Sequence, residues 1–103
     1  MFTFENLEAW QHAIDFADLI YNQTRLFPLD ERFGLTNQMR RAAVSVSSNL
    51  AEGSSQSSRP DFARFVEISG GSLFEVVSQA FVAKGQNFLT EIDFEKLYAC
   101  AEI

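Results

Sequence analysis

The stretch RRAAVSVSSNLAEG, Arg40 to Gly53, gathers several side chains that could do chemistry: two arginines, three serines, one asparagine and one glutamate. Acyl transfer at Ser45, Ser47 or Ser48 would need a base beside the hydroxyl, or the strained G-x-S-x-G elbow that presents a nucleophile between strand and helix. All three serines instead fall inside a helical pattern, and the one histidine, His12, belongs to another segment. A phosphate loop would need G-x-x-x-x-G-K-[ST] or G-x-G-x-x-G, whose glycines let backbone amides approach the anion. Neither occurs, and the adjacent pair Gly70 and Gly71 sits within a helical pattern, where close approach of a neighbouring backbone is the expected reason for it.

The remaining constellations are weaker. His12 has Glu8 and Asp15 within about one helical turn, a trio a divalent ion could use, but at this spacing it reads as a solvated charge cluster with i,i+3 and i,i+4 attractions. Glu91, Asp93 and Glu95 fall at the start of a helix, where negative charge complements the dipole. Cys100 has no nearby Cys or His and reads as a small packing residue. No catalytic residue, metal ligand, cofactor or small-molecule substrate is therefore expected.

The arginines remain. Net charge is −6, yet residues 25 to 64 sum to +2, while the segments before and after sum to −4 each. That middle segment holds all six arginines: Arg25, Arg32, Arg40, Arg41, Arg59 and Arg64. Arg40 and Arg41 point about 100° apart on a helix and suit a phosphate, a partner carboxylate or an acidic segment of another subunit. Arg40, Arg41, Arg59 and Arg64 are the candidate anion- or partner-binding residues. The overall negative charge disfavours nucleic acid, whose affinity for proteins rests on phosphate neutralisation.

Four helices must position these groups. Leu7, Trp10, Ile14, Ala17 and Tyr21 recur at steps of three and four, predicting a helix over about 6–27 that Pro28 ends. Its apolar arc covers about half the circumference, which predicts two sets of neighbours. Leu35, Met39, Ala42, Val46 and Leu50 predict a second helix, 34–53, which carries the opening stretch. Ser58 with Asp61, and Pro60 in the first turn, start a third helix, 59–85, with Gly85 as its stop. Thr90 with Asp93 repeats the cap and starts a fourth, 91–103, which is short for a bundle. The expected architecture is one all-α domain over 1–103, an antiparallel up-and-down four-helix bundle.

Phe74 and Phe81 form a second apolar stripe beside the core arc of the third helix. That stripe is more apolar surface than a thin bundle should expose, and with Gly70 it marks a candidate oligomer interface. Asn49, at the edge of the apolar arc, and Glu52 are candidates for a buried polar network with Arg40 or Arg41. No run approaches the roughly 20 apolar residues of a membrane span, and no N-terminal signal pattern is present. With one cysteine, a cytoplasmic protein without a membrane partner is expected.

LEAWQHA (Leu7 to Ala13), IYNQTRLFP (Ile20 to Pro28), GLTNQMRRAAVSVSSNLAEG (Gly34 to Gly53) and GGSLFE (Gly70 to Glu75) together resemble the bacterial 23S rRNA intervening-sequence protein family. The pattern R-R-A-x-x-S-x-x-x-N-x-A-E-G is specific, and the likeness covers nearly the whole chain in order. The resemblance implies a small cytoplasmic four-helix bundle that assembles as a ring-like homopentamer. A related branch, the accessory variability protein of diversity-generating retroelements, binds a reverse transcriptase and nucleic acid through a basic bundle. That basic character is missing here, since five chains would carry about −30. Many relatives also have proline where Ser47 stands, so the helix kink that such a proline would make is not expected here. Two readings follow: a non-enzymatic oligomeric scaffold or adaptor, or an accessory nucleic-acid-binding protein acting through the arginines of residues 25 to 64.

Overall fold

Each run of apolar residues at helical spacing becomes a helix in the computed structural model, which describes Met1 to Ile103. In order these are α1 (Glu8–Thr24), α2 (Leu35–Ser54), α3 (Arg59–Gly85) and α4 (Glu91–Ala101), with short 3₁₀ turns at Thr3–Asn6 and Leu29–Glu31. Consecutive helices run antiparallel. α1 packs on α2 and α4, and α3 packs on α2 and α4, closing an all-α four-helix bundle in which the α2–α3 seam is the most extensive. The wide apolar arc of α1 is thereby explained, since it has two helical neighbours.

The predicted start signals act as caps. Ser58 Oγ accepts the Asp61 amide at 3.3 Å, and Thr90 Oγ1 accepts the Asp93 amide at 3.1 Å. Thr90→Ala is therefore expected to destabilise the fold by about 1 kcal/mol in urea unfolding, with Thr90→Ser close to neutral.

α1 and α4 end earlier than expected, α4 at Ala101, and the turn after α3 is not made by its glycine. α1 stops at Thr24, three residues short of Phe27, because Phe27 folds back into the core to meet Phe88, ring centroids 5.6 Å apart. Gly85 is the last residue of α3, but the left-handed residue that turns the chain is Asn87, at φ 64°. The Phe88 amide bonds the Ala83 carbonyl and the Asn87 amide bonds that of Lys84, the paired bonds of a Schellman motif.

The main core joins Phe16, Ile20, Met39, Val76, Phe94 and Leu97 with alanines from the first three helices. A second, smaller cluster of Ala13, Val46 and Leu50 lies apart from it. The division follows from length: α3 has 27 residues and α4 has 11, about 40 Å against 16 Å of helix. Along the first half of α3 no fourth helix closes the bundle.

The molecule is a thin rod, 44 × 23 × 22 Å, with 22 of 103 residues buried. Its surface is 6655 Å², roughly 800 Å² more than a folded monomer of this mass normally exposes. Much of α3 contributes to that excess. Contrary to the expectation of no apolar run of spanning length, α3 has an 18-residue window of mean hydropathy 1.2, of which 17% is buried. By length and composition it could cross a membrane. Glu75 near its middle, costing about 2.5–3.5 kcal/mol at a bilayer centre, opposes that use, as does its long seam against α2.

Candidate interaction site

Two surfaces on opposite sides of the bundle carry side chains that the fold leaves without partners. One lies between α1 and α2. Arg40, in the second turn of α2, donates from Nε to Thr24 Oγ1 at 2.8 Å, and Thr24 in turn donates to the Ile20 carbonyl at 2.7 Å. A second donor of the guanidinium reaches the Tyr21 carbonyl at 3.4 Å, and the group lies 4.7 Å from the centre of the Tyr21 ring. The arginine is thus oriented by α1, with donors left over. Arg41, Asn37, Ser45, Ser48 and Val44 complete an open cleft that contains no acid.

None of the six arginines has a carboxylate within 4 Å; the ion pairs present are His12 with Glu8 and Lys84 with Glu91. Arg25 bonds Asn22 at 2.6 Å and Arg32 stacks on Phe33. Arg59 and Arg64 are exposed at the start of α3. Gly53 meets Phe62 and Phe65, so that end of α3 lies beside the far end of α2. Arg40 and Arg41 are therefore separated from Arg59 and Arg64 by about 20 Å of helix, and the four do not form one patch.

Arg40→Ala removes the bond to Thr24, the long one to the Tyr21 carbonyl and the contact with the Tyr21 ring, of which the first and last are each worth about 1 kcal/mol. It should cost about 1–2 kcal/mol in denaturant unfolding, while Arg41→Ala, at an exposed position without bonds, should stay within about 0.5 kcal/mol.

The second surface is a groove of about 560 Å³ between α3 and α4, lined by Leu73, Phe74, Val77, Phe81, Tyr98 and Glu102 among others. Phe74 is 79% exposed, Phe81 54% and Tyr98 42%. Phe81 meets Phe94 edge-on at 4.8 Å, which fixes its ring at the groove wall. Phe74, by contrast, stacks on no aromatic ring. The stripe expected from sequence is therefore present and uncovered by the chain itself.

Gly70 and Gly71 are not approached within the chain: a Cβ at either would meet nothing within 4 Å. The close approach expected at that pair occurs instead at Gly53, where a Cβ would lie 2.7 Å from Phe65 Cβ and 3.0 Å from the Phe62 ring. Gly70 instead lines a slot of about 230 Å³ beyond the end of α4.

The serines are structural links. Ser47 is buried and bonds the Val44 carbonyl within an unbroken α2, with no kink. Ser69 of α3 donates to the Val46 carbonyl at 2.8 Å, and Ser72 donates to Ser45 Oγ at 3.0 Å. Asn49 joins this set, donating to the carbonyl and hydroxyl of Ser45 at 2.8 and 2.9 Å. Glu52 does not: its carboxylate is exposed, so the polar network of the α2–α3 seam is built from Asn49 and serines. Ser69 lies on the core arc that helical spacing defines with Leu73 and Val76, whereas Ser72, beside that arc, is found only once α2 is seen to pack there.

No three of the His, Cys, Asp and Glu side chains converge. His12 Nε2 is 3.7 Å from Glu8, without Asp15. Burial, and secondarily the Asp15 carboxylate, push the Cys100 thiol above its ordinary range, which suppresses its thiolate.

Fold and surfaces together define a small all-α bundle with an oriented, unpaired cation on one side and an uncovered aromatic groove on the other. The chain belongs to the 23S rRNA-intervening sequence protein family, whose sequence model matches residues 5–103. No curated protein matches the chain.

Proposed function

We propose that the protein is a non-enzymatic scaffold or adaptor that works as a cytoplasmic, ring-like homo-oligomer, with five subunits as the number carried by the family resemblance. The observation that supports it most is the uncovered α3–α4 groove with Phe74 and Phe81 at its walls. The excess surface of roughly 800 Å² equals one partner's share of a standard protein interface. An aromatic groove of this kind in a soluble chain calls for a protein neighbour. Native mass spectrometry tests the assembly, since one closed ring gives a single integer multiple of the protomer. A spread of masses growing with concentration would instead mean open-ended association.

A second reading, nucleic-acid binding, is favoured by one observation: Arg40 is held in place without any carboxylate nearby. It predicts RNA or DNA retention in a gel shift at low salt that weakens steeply as salt rises. Absence of a shift at low salt would sink it. The net charge of −6 weighs against it.

A further inference from the structure

From charge and shape complementarity, we infer that the Arg40–Arg41 cleft is the receiving half of a head-to-tail contact, and that its occupant is the acid-rimmed α3–α4 face of a second copy of this chain. The inference rests on the oligomer reading above and adds to it which surface meets which. The helix order places the α1–α2 seam and the α3–α4 seam on opposite sides of the bundle. A contact between opposite faces is heterologous, so each copy offers one donor and one receiver, and rings close when the rotation per copy divides a full turn.

The two faces complement each other. Glu102 lines the aromatic groove, and Glu95 and Glu102 sit beside Tyr98 in the adjoining depression. Of the two lysines, Lys84 is already paired with Glu91 at 2.9 Å, and Lys96, exposed on α4, makes no ion pair and lines neither hollow. The groove and its adjoining depression are thus lined by two acids and by no lysine or arginine. Across the molecule the cleft offers Arg40 and Arg41 without an acid, and exposed apolar surface from Tyr21 and Val44 for the aromatic stripe to meet. Thr24 and Tyr21 fix the Arg40 guanidinium in advance, so little side-chain entropy is lost when a carboxylate docks.

Charge reversal tests this. Arg40→Glu with Arg41→Glu, and separately Glu95→Arg with Glu102→Arg, should each place like charges across the contact and weaken association by roughly tenfold or more in sedimentation velocity. Arg41→Glu alone, at an exposed position, should act in the same direction if the Arg40 variant folds poorly; circular dichroism checks each fold. One chain carrying all four reversals should recover the oligomer, because every contact is again complementary. An oligomeric parent chain unmoved by any of the reversals overturns the inference and leaves the oligomer reading standing. A monomeric parent chain overturns both, and is seen before any variant is made.

Discussion

Replacing Phe74 and Phe81 together by glutamate is expected to release a folded 11.6 kDa protomer from the assembly. Each phenylalanine offers about 2 kcal/mol of burial to a neighbour, and a carboxylate in its place must be desolvated without a partner. Two such losses per contact raise the dissociation constant by about a thousandfold or more. The protomer should stay helical because Phe74 is 79% exposed and makes no ring contact within the chain. Phe81 also edges Phe94 and Tyr98, so its replacement adds a local loss of about 1 kcal/mol. Phe74→Glu alone is the cleaner probe, and light scattering with circular dichroism reads both quantities. An unchanged mass would place the interface elsewhere.

Gly53→Ala should destabilise, although alanine is the better helix former by about 1 kcal/mol. The new methyl carbon would sit 2.7 Å from Phe65 Cβ, an atom fixed to the α3 backbone, and 3.0 Å from the Phe62 ring. The Phe62 ring can turn aside but Phe65 Cβ cannot, so the α2–α3 seam must open. Overpacking of this kind costs about 1–3 kcal/mol, enough to outweigh the propensity gain. The melting temperature should fall by several degrees, about 4–8 °C per kcal/mol for a domain of this size. Gly71→Ala is the internal control: its methyl meets nothing within the chain and should stabilise the protomer. Because oligomers melt in a concentration-dependent way, all three proteins need one fixed protomer concentration. Equal stability of Gly53→Ala and the parent chain would contradict the packing described.

The helices were legible because their cues are local. Ser58 with Asp61 and Thr90 with Asp93 are caps in sequence and caps in structure. Phe74 and Phe81, seven residues apart and off the core arc, were readable as a stripe that the chain does not cover. What periodicity does not encode is which helix comes close to which. The sequence shows a glycine pair at 70–71 and a lone glycine at 53, and the pair draws the eye. Yet the close approach is at Gly53, because the turn into α3 brings Phe62 and Phe65 back across the end of α2.

The same limit hid the orientation of Arg40. Its partners Thr24 and Tyr21 are 16 and 19 residues away, and only the crossing of α1 and α2 brings them within reach. It also misassigned Glu52: an acid one residue inside a glycine looks like a network partner for Asn49, but Asn49 bonds Ser45 one turn earlier, and Glu52 faces solvent. The extent of apolar surface on α3 was underestimated for a different reason. Serines and glycines interrupt the apolar run, so no continuous stretch stands out, while the window average stays high.

One measurement bears most directly on assembly through the α3–α4 groove: the molar mass of the unmodified chain by light scattering during size-exclusion chromatography, over a tenfold range of micromolar concentrations. A ring-forming scaffold gives one peak of constant mass at an integer multiple of 11.6 kDa, five times that value for a pentamer. A single peak at 11.6 kDa across the range would contradict it.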